Sequence, residues 1–200
     1  MATRLDTERG IVRVPTGTWT VDPAHSSVEF RIKHMMISTV RGRFGEFAGT
    51  IEAAPDYHQS KVRGTVKAAS IDTNEPRRDD HLRSADFFDV EHHPEITFES
   101  TAIEHLEKGN YRVEGELTMH GETHPVRFEV TVHGVTPGPQ GQDRVGLEAR
   151  GTLSRGEFGL RWQQALETGG VVVGDEVRVV ADIAAVCTSP DADASGLSTG

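Results

Sequence analysis

The chain has 200 residues, enough for one domain with a sizeable core and short terminal extensions. Its 21 lysines and arginines stand against 31 aspartates and glutamates, and the resulting charge of −10 repels nucleic-acid phosphates and argues against a DNA- or RNA-coating role. The single Cys187 excludes an internal disulfide and any zinc centre built on several thiolates, and no apolar run approaches the ~18 residues of a membrane span.

Residues 1–16 lack hydrophobic periodicity and read as a flexible tail. Arginines and acids occupy the place where a secretory leader needs its apolar centre, so the expected location is cytoplasmic. From 17 to 187 one domain is expected, because alternation at period two, the mark of strands with one buried face, recurs segment after segment. GTWTVD at 17–22 is a weak strand. In 26–34, Val28, Phe30, Ile32 and His34 share one face and Glu29, Arg31 and Lys33 the other. The stretch 41–54 is a further strand in which Phe44 and Phe47 stand three apart, and Gly45 between them suits a bulge that restores the register. Weaker alternation marks 61–71.

NEPRRDDHLRSADFFDV at 74–90 breaks the pattern: a proline suited to a first turn, good helix formers, and Leu82 and Ala85 at helical spacing predict a short helix over 76–85. Phe87 and Phe88 follow it as an apolar plug. Strands resume at 95–106, at 111–119 with Tyr111, Val113, Leu117 and Met119 inward, and at 126–133 with Val126, Phe128, Val130 and Val132 inward. HGETHP at 120–125 reads as the turn between the last two, and TPGPQGQ at 136–142 as a hairpin loop before the strand at 143–154. A short turn is expected around 162–167 and a last strand over 176–186. The small, polar residues 188–200 read as a disordered tail.

The fold class is therefore all-β. Barrel and sandwich both satisfy the periodicity, but the inward faces mix Phe30, Phe98, Phe128 and Leu117 with Gly49, Ala53, Gly64, Ala68, Gly115, Ala149, Gly151 and Ala181. An eight-stranded barrel is just wide enough to be filled by side chains or to hold one small ligand, so small inward residues favour an apolar cavity. The alternative is that they relieve crowding where strands converge.

Five blocks, WTVDPAHSSVEFRIKH at 19–34, VRGRFGEFAGTIE at 40–52, the acid-rich helix block at 70–100, GELTMHGETHPVRFEV at 115–130, and GTLSRGEFGL at 151–160 with VGDEVRVVADIAAV at 173–186, resemble the YceI-like family of lipocalin-like polyisoprenoid-binding proteins. The resemblance implies an eight-stranded antiparallel lipocalin-like barrel, closed differently at its two ends. It also implies a long apolar channel for an amphiphile such as a polyisoprenoid, an isoprenoid quinone or a fatty-acid derivative.

On this reading the chain of the ligand lies against Phe30, Ile32, Phe44, Phe47, Phe98, Leu117, Met119 and Phe128, with Phe87 and Phe88 as the plug. His34, on the apolar face, is either a hydrogen-bonded core histidine or a polar group at the channel mouth. An anionic head group would take guanidinium forks, and Arg41, Arg43, Arg83 and Arg155 occupy positions compatible with a barrel rim, although each has an acid nearby to pair with.

Ten histidines invite a metal reading, with His120 and His124, His92 and His93, or His25 and His34 as pairs, yet no spacing completes a tetrahedral set and no metal is expected. No GxSxG, HExxH or phosphate-cradling glycine loop points to catalysis, and Asp79 with His81 or Ser84 with Asp86 read as ordinary helix-face neighbours. The expectation is a binding protein without catalytic residues or cofactor, a homodimer being compatible with an open-ended barrel. The competing readings are a ligand-free barrel used as an interaction or stress-response scaffold, and a metal-dependent enzyme.

Overall fold

A computed structural model of the chain describes residues 7–8, 11–139, 141–163 and 172–190. Among these, eleven strands form one sheet: β1 (Gly17–Val21), β2 (Ser27–His34), β3 (Ser38–Phe44), β4 (Phe47–Ala53), β5 (Lys61–Lys67), β6 (Ile71–Asp72), β7 (Glu95–Glu107), β8 (Asn110–Met119), β9 (Glu122–Pro137), β10 (Asp143–Ser154) and β11 (Val173–Pro190). All neighbours run antiparallel. β1 and β2 are two halves of one stave, parted by a turn of 3-10 helix at Pro23–His25; β3 and β4 make the second stave, and β5 and β6, parted by Ala68–Ser70, the third. β11 pairs with β10 along one edge and with β2 and then β1 along the other, which closes an eight-stranded barrel.

The irregularity expected at Gly45 is a two-residue corner between β3 and β4 rather than a one-residue bulge. The Gly45 N–H donates to Ser70 O and the Lys67 N–H to Glu46 O, so the breaks in the second and third staves are stitched together. Phe44 and Phe47 can thus both face inward although they stand three apart. The turn expected at 120–125 shrinks to His120 and Gly121, both with left-handed backbone (φ 54° and 77°), the geometry that matches strand twist in a tight hairpin. Glu122 to Pro125 are consequently strand, with Pro125 opposite Glu116.

β11 runs past Cys187 to place Ser189 and Pro190 opposite Thr18 and Gly17. Of the short turn expected at 162–167, only 162 and 163 fall among the described residues. At the other end of the chain, within the stretch read as a tail, Thr7–Glu8 pairs with Ile11–Val12. The Val12 N–H donates to Lys108 O, the Tyr111 hydroxyl to Val12 O and the Trp19 indole to Pro15 O, so this segment crosses one end of the barrel.

The helix, α1 (Pro76–Arg83), ends two residues earlier than its spacing predicts. Glu75 caps it by accepting from the Arg78 N–H. It is anchored by Asp79, a buried carboxylate that accepts from the N–H and the hydroxyl of Thr73, and by Arg83, which donates to Ala69 O and Ile71 O. Buried apolar side chains gather at both ends. Trp19, Val135, Val145 and Ala185 fill the end crossed by the N-terminal segment, and Leu117, Met119, Phe158 and Leu160, with Phe88 against them, pack the end near α1.

Candidate functional site: an apolar channel inside the barrel

Between the two packed ends lies a cavity of about 630 Å³. β8 lines it from Tyr111 to Met119, eight residue steps and hence roughly 26 Å of strand. The volume falls inside the range, roughly 300–1,000 Å³, of sites that enclose small-molecule ligands. It is longer than it is wide because the barrel wall sets the width.

Period-two parity fixes what faces it. Phe30, Ile32 and His34 from β2, Phe44 and Phe47 flanking the corner, Phe98 from β7, Leu117 and Met119 from β8, and Phe128 from β9 all line the cavity, and Phe87 and Phe88 reach it from the segment after α1. The small inward residues divide into three groups. Gly49, Ala53, Gly64, Ala149 and Ala181 border the space directly; Ala68 lies in the 3-10 turn between β5 and β6, buried away from it. Gly115 and Gly151 lie beneath aromatic rings. A Cβ on Gly151 would stand 2.6 Å from the Phe128 ring, one on Gly115 2.5 Å from the Phe98 ring, and one on Gly42 2.3 Å from the Phe30 ring. Three phenylalanines are therefore laid flat against the wall over glycines, which widens the lumen at their level.

The polar groups are few. The His34 ring has no hydrogen bond among the described residues and borders the cavity near the β2–β3 turn. Of the four arginines expected to serve a head group, three are elsewhere. Arg41 and Arg43 have the parity opposite to Phe44 and point outward, Arg43 to an ion pair with Asp72. Arg83 is occupied with the carbonyls that dock α1 and with Asp80. Arg155 does border the cavity, but it is 6% exposed and its guanidinium donates to the carbonyls of Leu160, Trp162, Val173 and Gly174. Burial without a paired carboxylate in contact pulls its pKa below the ordinary arginine value. It is a structural clasp for the 160–162 segment.

The cations and aromatics that sequence reasoning missed come from α1 and that clasped segment. Arg77 and Arg78, His81 and Trp162 line the same end of the cavity. Arg78 donates to Thr73, whereas Arg77 is exposed and makes no ion pair among the described residues. His81 stands edge-on to Trp162 and Phe87 and bonds Asp86 at 2.9 Å. The helical spacing places these residues together at the helix end, but only the docking angle of α1 shows which of them border the lumen.

A family model described as a YceI-like domain matches residues 19–185. A UPF0312 protein of Staphylococcus aureus is 39% identical over 162 residues, 80% of this chain and 92% of that protein. Among solved structures, BcnA of Burkholderia cenocepacia superposes with a TM-score of 0.72 at 26% identity, covering 82% of this chain and 98% of that one. A polyisoprenoid binding domain from Saccharophagus degradans, implicated in plant cell wall breakdown, shares the fold with a TM-score of 0.65 at 14% identity, over 84% of this chain and 98% of its own. Matched along nearly all of the barrel, the chain belongs to the YceI-like family.

Proposed function

We propose that the protein binds and carries one long-chain amphiphile, a polyisoprenoid, an isoprenoid quinone or a fatty-acid derivative, in the channel and releases it unchanged. The observation that carries this reading is the 630 Å³ cavity walled by eight strands' inward side chains, with phenylalanines pressed back against glycines. At the roughly 30 Å³ of a water-sized group, it accommodates on the order of twenty methylenes. Burying them contributes about 0.8 kcal/mol each in the transfer limit, before ordering costs, so a tail can be held with few polar contacts. Arg77 supplies a cation for an anionic head at the α1 end. The fold shared with a domain named for polyisoprenoid binding supports the ligand class by analogy of architecture. The described lining is overwhelmingly aliphatic and aromatic, which favours carriage over catalysis.

The test is native mass spectrometry of the purified chain, then organic extraction and mass analysis of what is released. A stoichiometric prenyl or acyl compound is the expected result. An apoprotein mass, with no uptake of prenyl diphosphates, quinones or fatty amides offered afterwards, would overturn the proposal in favour of an interaction scaffold. Leu117→Trp, which fills the lumen, should abolish uptake while leaving the far-UV spectrum unchanged.

A further inference from the structure

The histidine pairs suggested by sequence do not meet as pairs of ligands: His124 turns its ring edge-on to Phe158, and His120 instead approaches a histidine and an aspartate from the far side of the helix block. After α1 the chain makes a helix-like turn in which the N–H groups of His92 and His93 donate to Asp89 O. The i to i+4 bond places Asp89 and His93 on one side of that turn. His120 reaches them from the two-residue turn between β8 and β9. One ligand atom from each of Asp89, His93 and His120 lies within 4.8 Å of the others.

Three features mark this as more than a chance meeting of surface side chains. First, none of the three donates a hydrogen bond to another, so the converging atoms bound a gap instead of closing on one another. Second, the rings are fixed: His93 packs on Gly121 and His120 on Gly159, where an added Cβ would stand 2.8 and 3.0 Å from ring atoms, and both glycines have left-handed backbone. Third, His120 Nδ1 lies 3.2 Å from Phe158 O, a carbonyl that can only accept, so Nδ1 carries a proton and Nε2 is the nitrogen that offers a lone pair in the neutral ring. An imidazole oriented through its other nitrogen by a backbone carbonyl is the usual support of a metal-bound histidine. The His93 ring nitrogens have no hydrogen bond among the described residues. His92 Nδ1 lies 2.9 and 3.0 Å from the two oxygens of Asp89, and by keeping one of them it would serve as an outer partner while the other turns to the ion.

We propose that Asp89, His93 and His120 bind a divalent first-row transition metal ion of the zinc class. Two neutral imidazoles and one carboxylate suit Zn²⁺, Co²⁺, Ni²⁺ or Fe²⁺, and the absence of thiolate disfavours Cu⁺. Bonds of about 2.0–2.2 Å require the three ligand atoms to draw in by on the order of 1 Å, within reach of side-chain rotation. Three protein ligands leave a fourth position for water. It lies outside the channel and fastens the segment bearing Phe87 and Phe88, which line the channel, to the β8–β9 turn. The proposal is independent of what the channel carries.

The experiment takes the full chain, stripped of metal by chelator, and titrates it with Zn²⁺ by calorimetry and with Co²⁺ by visible absorption. One ion per chain, a Co²⁺ d–d band and a rise of several degrees in Tm are expected. His93→Ala and Asp89→Asn should each weaken binding by at least about a hundredfold, more than loss of an outer-sphere partner costs. Asparagine tolerates the positive φ of 46° at position 89, so the second variant keeps the backbone. His124→Ala should bind as the parent does. Absence of stoichiometric binding in excess metal would overturn the proposal, and so would binding that survives in the Asp89→Asn/His93→Ala double variant, which would assign the ion to other histidines.

Discussion

The phenylalanine rings laid over glycines make the channel width testable with a single methyl group. In Gly151→Ala the new Cβ meets two carbons of the Phe128 ring at 2.6 and 2.7 Å. Ordinary carbon contacts begin near ~3.5 Å, so the ring must retreat by about 1 Å, and the open direction is the lumen. Because the ring moves into unfilled space, and the Arg127 carbonyl oxygen at 3.1 Å from the new Cβ need give by only a few tenths of an ångström, the cost to the apoprotein should be at the low end of overpacking, about 1 kcal/mol. The ligand loses room for about one methylene, roughly 0.8 kcal/mol or a fourfold loss of affinity. Urea unfolding of the apoprotein measures the first quantity, and displacement of a fluorescent acyl or prenyl probe the second. Phe128→Leu in the Gly151→Ala background removes the clash and should restore most of the affinity. An unchanged affinity in Gly151→Ala would show that the bound tail does not run past Phe128. A loss that Phe128→Leu fails to recover would show that the ring is not the intermediary.

Other expectations test the supports of the channel. Arg155→Ala strands the carbonyls at Leu160, Trp162, Val173 and Gly174, and should lower the free energy of unfolding by about 3 kcal/mol in urea titration; lysine, lacking the fork, should not rescue it. Asp79→Ala leaves the buried N–H and hydroxyl of Thr73 without an acceptor and should cost about 2 kcal/mol by the same assay. Hydrogen bonds from Arg144 and then His25 hold the Asp22 carboxyl at about 2, below its ordinary 3.8. A depressed folded-state value means that the stabilisation is complete above the unfolded-state pKa and is lost as pH falls through about 2, so acid unfolding followed by circular dichroism should be less steep between those limits in Asp22→Asn. Burial raises the Cys187 thiol pKa, so its alkylation near neutral pH should be slow in the folded chain and accelerate in urea.

Where a strand has one face in and one face out, sequence parity decides the lining without knowledge of the fold. That is why Phe30, Ile32, Leu117, Met119 and Phe128 were legible, and why Phe44 and Phe47 became so once the break at Gly45 was admitted. The same parity already places Arg41 and Arg43 on the outer face of Phe44's own strand, and a position near the rim does not turn a guanidinium inward. Arg83 and Arg155 were illegible for another reason: their partners are backbone carbonyls, which carry no residue-specific signal. Arg77, Arg78 and Trp162 border the lumen through the docking of a helix and a clasped loop, both set by tertiary contacts. The approach of Asp89 and His93 to His120 joins residues some thirty positions apart through one hairpin turn and has no periodic signature at all.

The seam of the barrel has a consequence for the order in which the molecule comes into being. β11 closes the wall on both of its edges and contributes Val177, Val179, Ala181 and Ile183 to the lumen. The first stave, made earliest on the ribosome, must wait for this last strand before it is paired on both sides, a contact of high sequence separation that slows folding. Until then the nascent chain is an open sheet with two raw edges and a bare phenylalanine-rich face. A chain truncated before Val173 would therefore be an aggregating sheet and not a smaller container, and any cargo can be enclosed only after β11 has been made.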